Sequence, residues 1–145
     1  MPNGARQKGA IVMSERILDR HVLDNGLEVV FSDEGNRYFG DYHQVKVIAS
    51  CRINLGDELQ SEYLTAADLA KAREIFGEQV EYRRLLKQMG VAGAEVEAVQ
   101  KRMIDNYLAT ATAYMQEAGF AARYVARRLV EHRNRSRLYL AGHDA

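Results

Sequence analysis

Gln44-Val45-Lys46-Val47-Ile48-Ala49-Ser50-Cys51-Arg52-Ile53-Asn54-Leu55 alternates apolar and polar side chains almost without a break. Val45, Val47, Ala49, Cys51, Ile53 and Leu55 fall on one face of a pleated strand, because successive side chains point to opposite sides. Gln44, Lys46, Ser50, Arg52 and Asn54 fall on the other, and only Ile48 interrupts them. A period of two held this long marks a half-buried strand, of the kind found in antiparallel sheets with one covered face.

Upstream, Ile17, Leu18, Val22 and Leu23 flank a shorter run that ends at Asp24-Asn25-Gly26. Asn-Gly favours a type I′ hairpin turn, which needs positive φ at both central residues. Leu27 to Phe31 supplies the returning strand, with Leu27, Val29 and Phe31 on one face. Ser32 to Asp41 contains Gly35, Asn36 and Gly40 and reads as a longer loop. The simplest arrangement is a three-strand antiparallel meander with helices on one face.

Downstream, Gly56-Asp57 ends the strand, and Thr65-Ala66-Ala67-Asp68 has the form of a helix start, with threonine as N-cap and an acid three residues on. The predicted helix runs from Ala66 to Phe76, with Gly77 just past its end. Glu78 to Met89, with Val80, Tyr82 and Leu85-Leu86, fits either a helix or a fourth strand. From about Ala94 to Ala118 the recurrence of Val96, Val99, Met103, Tyr107, Thr110, Ala111, Tyr114 and Ala118 predicts a long helix. After Gly119 a last helix is expected from Phe120 to about Arg133, burying Ala121, Ala122, Val125, Leu129 and Val130. The class is therefore α+β: an antiparallel meander of three or four strands followed by two or three helices packed on one face. The expected organisation is a disordered leader over residues 1–13, a single α+β domain over 14–137 and a C-terminal tail over 138–145, with Met13 an alternative start.

The composition is that of an ordinary globular domain. The chain has 145 residues, 47% hydrophobic and 28% charged, which argues against disorder. Twenty Lys and Arg balance twenty Asp and Glu, so the total charge points to neither nucleic acid nor an anionic membrane. Cys51 is the only cysteine and cannot form an internal disulfide. No apolar run approaches the roughly 18 residues of a membrane span, so the expected setting is cytoplasmic, with no membrane partner.

Leu23-Asp24-Asn25-Gly26-Leu27, Gly40-Asp41 and the strand Val45–Leu55 together resemble a group of uncharacterised bacterial proteins. In those, an NGL turn, a GD pair and a long alternating strand precede a helical C-terminal half. The resemblance covers about the first third of the chain, tilts Glu78–Met89 toward a strand and implies no activity. Arg16-x-x-x-Arg20 followed by Val30-x-Ser32-x-x-Gly35 also resembles the motif of the PilZ family, whose arginines hold the phosphates and guanine faces of cyclic di-GMP. Here Val30 stands where that family has Asp or Asn, and the Asn-Gly turn falls between the two halves.

Three sets of residues are candidates for chemistry. Asp19-x-His21 and Asp41-x-His43 each place a carboxylate and an imidazole on one face of a strand, and two such pairs on neighbouring strands could bind a transition metal. Cys51 lies on the core face, where a thiol is structural rather than reactive. The third set is electrostatic. Residues 53–80 hold six acids against Lys71 and Arg73, a balance of −4, and residues 121–145 hold six arginines against Glu131 and Asp144, a balance of +4. On a helical wheel Arg123, Arg127 and Arg128 flank Tyr124 opposite Val125 and Leu129.

No nucleophile elbow, Walker loop, dinucleotide fingerprint or Cys-x-x-Cys pair is present, and no cofactor is implied. The expected function is a non-catalytic binding or assembly module that self-associates, as a homodimer, or takes a protein partner. Nucleotide or nucleic-acid binding through Arg123, Tyr124, Arg127 and Arg128 is one alternative. A metal-dependent enzyme using Asp19, His21, Asp41 and His43 is the other.

Overall fold

The computed structural model describes residues 16–144, with side chains of the last helix described as far as Leu138. The expected leader and the alternative start at Met13 lie outside the described residues. Strands β1 (Arg16–Val22), β2 (Glu28–Asp33), β3 (Asn36–Phe39), β4 (Tyr42–Asn54) and β5 (Gln79–Ala92) form one antiparallel sheet. Helix α1 (Ala66–Phe76) lies between β4 and β5 in the chain, and α2 (Val96–Met115) and α3 (Phe120–Asp144) follow. The class is α+β, as the sequence implies. No helix among the described residues is long and apolar enough to cross a membrane.

β4 is the alternating strand, and its apolar series is buried throughout: Val45, Val47, Ala49, Cys51, Ile53 and Leu55. Val29 and Phe31 of β2 pair directly with Cys51 and Ala49, so they join the same buried face. Ile48, the break in the polar series, is buried on the other face with its cross-strand partner Ser32.

The stretch Ser32–Asp41 is not a loop. β2 continues to Asp33 and β3 begins at Asn36, and the antiparallel register of Val29↔Cys51 and Asp33↔Val47 carries on as Asn36↔Gln44 and Arg37↔His43. The two strands act as one arm of a long hairpin that turns at Gly40-Asp41. The polar, glycine-containing sequence misleads because Gly35 answers a steric need within the ladder. A Cβ there would meet the Gln44 carbonyl oxygen at 2.5 Å. Asp33 Oδ1 accepts from Gly35 N–H (2.8 Å) and fixes the break between β2 and β3.

The first hairpin also differs from expectation. Gly26 N–H donates to Leu23 O (2.9 Å) and Leu23 N–H to Leu27 O (2.7 Å), so Asp24 and Asn25 form the turn and Gly26 follows it. Gly26 alone takes positive φ (+90°), whereas Asn25 does not. This is a three-residue connection closed by a left-handed glycine, not a type I′ turn. The Asn25 Oδ1 accepts from Leu27 N–H (3.1 Å), which holds that arrangement.

Of the stretch Glu78–Met89, all but the turn residue Glu78 resolves as strand, within β5. Leu55 N–H donates to Glu78 O (2.9 Å) near its start, and Gly93 N–H donates to Asp41 O (3.1 Å) just past its end. α1 starts on the expected capping box: Thr65 Oγ1 accepts from Asp68 N–H (3.1 Å) and Thr65 N–H donates to Asp68 Oδ2 (3.0 Å). α2 buries Val99, Gln100, Ile104, Tyr107 and Met115, so its inner stripe runs through Ile104 rather than Met103. α3 continues to Asp144 through residues expected as a tail. Between Phe120 and Leu140 the sequence has no Gly or Pro and is rich in Ala, Arg and Leu, all strong helix formers.

The chain divides into two compact units, one of residues 16–51 and 82–112, the other of residues 52–81 and 113–144. In the first, Val29, Phe31, Val45, Val47, Ala49, Cys51, Val91, Val99, Ile104 and Tyr107 are buried, with Phe31 edge-on to Tyr107 at 5.7 Å. In the second, the core holds Ile53, Leu55, Leu64, Leu69, Ala72, Val80, Met115, Phe120, Ala122, Val125 and Leu129.

Gly35→Ala should therefore destabilise the chain by roughly 1–3 kcal/mol, the usual cost of forcing an atom into occupied space. Urea unfolding of the two proteins checks this, and equal midpoints would refute it.

Candidate binding face

In the second unit, α3 begins beside Gly119, whose carbonyl accepts from Arg123 N–H (2.9 Å). Phe120, Ala122, Val125 and Leu129 face inward, and His132 meets the Phe76 ring edge-on at 6.1 Å. From Arg133 to Leu138 every described side chain is exposed. At 100° per residue, Arg123, Tyr124, Arg127, Arg128, Arg135, Arg137 and Leu138 fall on the half of the helix away from Ala122, Val125 and Leu129, with Glu131 the acid among them and with Arg135 and Arg137 toward its two edges. The arc from Arg123 to Arg137 is about 21 Å long at 1.5 Å per residue.

The four residues singled out from the sequence stand together on this arc but do different things. Arg123 forms an ion pair with Glu117 (3.0 Å), and its Cζ lies 5.4 Å over the Tyr63 ring. The hydrogen bond to Glu117 raises its already high pKa further. Arg128 lies 5.0 Å over Phe76 and 5.8 Å over Tyr124, and its Nη1 donates to Glu81 O (3.3 Å) and to the Tyr124 hydroxyl (3.1 Å). The Tyr124 hydroxyl donates to the same carbonyl (3.1 Å). Arg128 therefore serves its own fold.

Arg127 is exposed and lies 5.7 Å over the Tyr124 ring, and no ion pair or hydrogen bond among the described residues uses its side chain. A guanidinium resting on an aromatic face keeps its planar donors available to a carboxylate or phosphate while the ring limits where it can go. Tyr124 is itself stacked on Phe120 (6.4 Å, 15° between planes), and Phe120 meets Tyr114 edge-on at 5.1 Å. Arg127 and Arg128 thus rest on an aromatic row.

Arg135 and Arg137 were not among the residues expected to bind. Their place on the arc depends on α3 continuing past Arg133. The unbroken run of helix formers was the available signal.

The two Asp-x-His pairs are not brought together. Asp19 and His21 lie on β1 opposite Phe31 and Val29, and Phe31 in turn faces Ala49. His43 is six residues from Ala49 along β4, about 20 Å at 3.3 Å per residue. Within the second pair, His43 Nε2 is 3.9 Å from Asp41 Oδ1, while Asp41 Oδ2 accepts from Gly93 N–H (3.2 Å). Among the described residues no group of three or more His, Cys, Asp or Glu is placed to hold a metal ion.

The arginines of the PilZ-like motif form ion pairs across β1 and β2, Arg16 with Asp33 (3.0 Å) and Arg20 with Glu28 (3.4 Å). Cys51 is buried, as its place on the strand implies, and burial pushes its thiol up to about 11, with the Glu28 carboxylate adding to the shift. Burial also raises Tyr107, assisted by its neighbour Tyr82. In comparisons with known proteins, the chain matches no family model, no curated protein and no solved structure.

A thiol held this way is protonated and shielded at neutral pH. Cys51 should fail to react with a disulfide reagent at pH 8 in the folded chain and react fully in urea. Because its folded pKa is raised, the folded state holds the proton more tightly. Its contribution to stability is complete below the ordinary thiol pKa near 9 and is lost as pH climbs through about 11. The alkaline decline in stability should be shallower in Cys51→Ala; identical slopes would count against this account.

Proposed function

We propose that the chain is a non-catalytic binding and assembly module that docks its partner on the solvent face of α3 and associates with itself through that face. The observation that carries the reading is Arg127, over the Tyr124 ring with no ion pair or hydrogen bond to its side chain among the described residues, on a helix that also exposes Arg133, Arg135 and Arg137. Such a face suits a carboxylate-rich protein surface, because a planar guanidinium can form two parallel hydrogen bonds to a carboxylate. Self-association is favoured because the chain also carries an acidic segment of balance −4. The setting we assign is the cytoplasm.

Phosphate recognition on a nucleotide or nucleic acid is the second reading, favoured by the same uncommitted guanidinium. Base stacking on Tyr124 is less well served. Phe120 and two guanidinium groups already lie against that ring, and a base would have to displace one of them.

Sedimentation of the full chain tests the first reading. At about 50 mM salt the mass should rise with concentration above the 16.4 kDa of one chain. At about 0.5 M salt it should fall back, since exposed ion pairs are screened. Arg127→Glu should weaken association roughly 3- to 30-fold, by losing one attraction and adding a repulsion of about 1 kcal/mol each. A single-chain mass at every concentration and salt would overturn self-association.

A further inference from the structure

β5 is the longest described strand, and β4 pairs with one of its edges while no described strand pairs with the other. Hydrogen bonds at its start show which backbone groups face the open edge. Glu78 O, one residue before β5, accepts from Leu55 N–H on the β4 side, whereas Glu81 O accepts from the Tyr124 hydroxyl and Arg128 of α3. Successive residues turn their N–H and C=O to alternate edges, so Leu85 and Lys87 turn theirs outward like Glu81. This alternation holds as far as Gly90. Val80 and Val91 are both buried although eleven positions apart, so one residue between them is extra, and Gly90 at φ +70° supplies the bulge.

From Leu85 to Met89 the edge is bare. Leu85, Lys87, Gln88 and Met89 are exposed, and no hydrogen bond among the described residues reaches the outward N–H or C=O of Leu85 or Lys87. The complement of such an edge is an extended chain, whose own outward residues recur about every 6.6 Å. The open edge of β1 is less suited, being seven residues long with its register broken between Ile17 and Asp19.

Side-chain charge then selects among extended chains. In the register set by Leu55 and Glu78, Lys87 stands opposite Lys46 of β4, and exposed Arg84 precedes Leu85 on the strand. Neither lysine has an ion pair among the described residues, and Glu34 pairs instead with Arg83 (3.7 Å). A second copy of β5 is a poor mate. Antiparallel pairing about Lys87 would oppose two Lys87 side chains, pairing about Leu86 would set them on the diagonal, and pairing about Leu85 would oppose Lys87 and Arg83. An acidic strand turns the same lysines from a barrier into an attraction.

We infer that the edge of β5 from Leu85 to Met89 takes an extended acidic segment of a protein partner as a further strand. Lys46 and Lys87 meet its carboxylates, and Leu85 and Met89 its apolar side chains. The site lies in the first unit and uses no residue of α3.

The probe is a fluorescent seven-residue peptide alternating glutamate and valine, added to the full chain and followed by anisotropy, with amide exchange read by NMR. Without peptide, the Leu85 and Lys87 amides should exchange as open backbone does. With peptide they should become protected, at a Kd below about 1 mM. Methylating the backbone nitrogens of the peptide, or replacing its glutamates by lysines, should abolish binding. Lys87→Glu should weaken binding roughly 3- to 30-fold. Leu85→Pro, which removes an outward N–H that β4 does not use, should weaken it about fivefold or more. Circular dichroism checks that both variants fold; if Leu85→Pro does not, the methylated peptide makes the same test.

Binding that survives backbone methylation would overturn strand addition in favour of charge alone. Binding that leaves the Leu85 and Lys87 amides unprotected would place the peptide elsewhere, and overturn the proposal. Amides already protected in the free chain would show the edge to be occupied, by a second copy if the mass is doubled, and would overturn it too. No binding at about 1 mM peptide would end it.

Discussion

The burial of one face of β4 is the constraint on which both units rest. Val45, Val47, Ala49 and Cys51 lie in the core of the first, and Ile53 and Leu55 in the core of the second. Each fully buried Val, Ile or Leu is worth about 1.5–3 kcal/mol relative to exposure. A one-residue slip would turn the whole series to the opposite face. The register with β2 is therefore tightly specified, and Val29 and Phe31 come to lie beside Cys51 and Ala49 in consequence. The same register continues through β3 and carries the hairpin to Gly40-Asp41.

The acidic and basic segments show how burial and charge divide the work. α3 is anchored by its apolar face and by aromatic contacts, with no requirement for the arginines to meet acids nearby. Arg128 has its guanidinium against two rings and a carbonyl, so its charge is used locally. Arg127, one residue on the N-terminal side and about 100° around the helix, reaches only one ring. Neighbouring arginines of the same composition thus have different availability, and that difference decides which could engage a partner. Exposed ion pairs contribute little to folding. Arginines that leave the arc uncommitted cost the fold almost nothing, which keeps the surface open to association.

Much of the local structure was legible because it depends on residues close in sequence. The capping box of Thr65 and Asp68 is a three-residue relationship, and the period of β4 is visible in twelve residues. The loop assigned to Ser32–Asp41 failed because glycine and asparagine signal turns without indicating whether a partner strand passes alongside. The Asn-Gly turn was found but mistyped, since Asn25 could take its turn conformation with support from Leu27 N–H. Glu78–Met89 stayed open for a related reason: an edge strand with exposed Leu85 and Met89 shows little alternation. In α2, Ile104 and Met103 are adjacent and both apolar, and only the packing surface selects between them.

For the candidate site, the sequence by itself determined the segregation of charge and the grouping of Arg123, Tyr124, Arg127 and Arg128 on one helical side, because helical period and charge are local properties. It also determined that Cys51 would be buried. Only the tertiary structure decided that the Arg123 and Arg128 guanidinium groups lie over rings and against a backbone carbonyl, since Tyr63, Phe76 and Glu81 lie more than forty residues away in sequence. Tertiary structure likewise kept the two Asp-x-His pairs apart. Strand register, set by burial of the β4 face, governs how far apart residues on β1 and β4 must lie, and no short-range pattern records it.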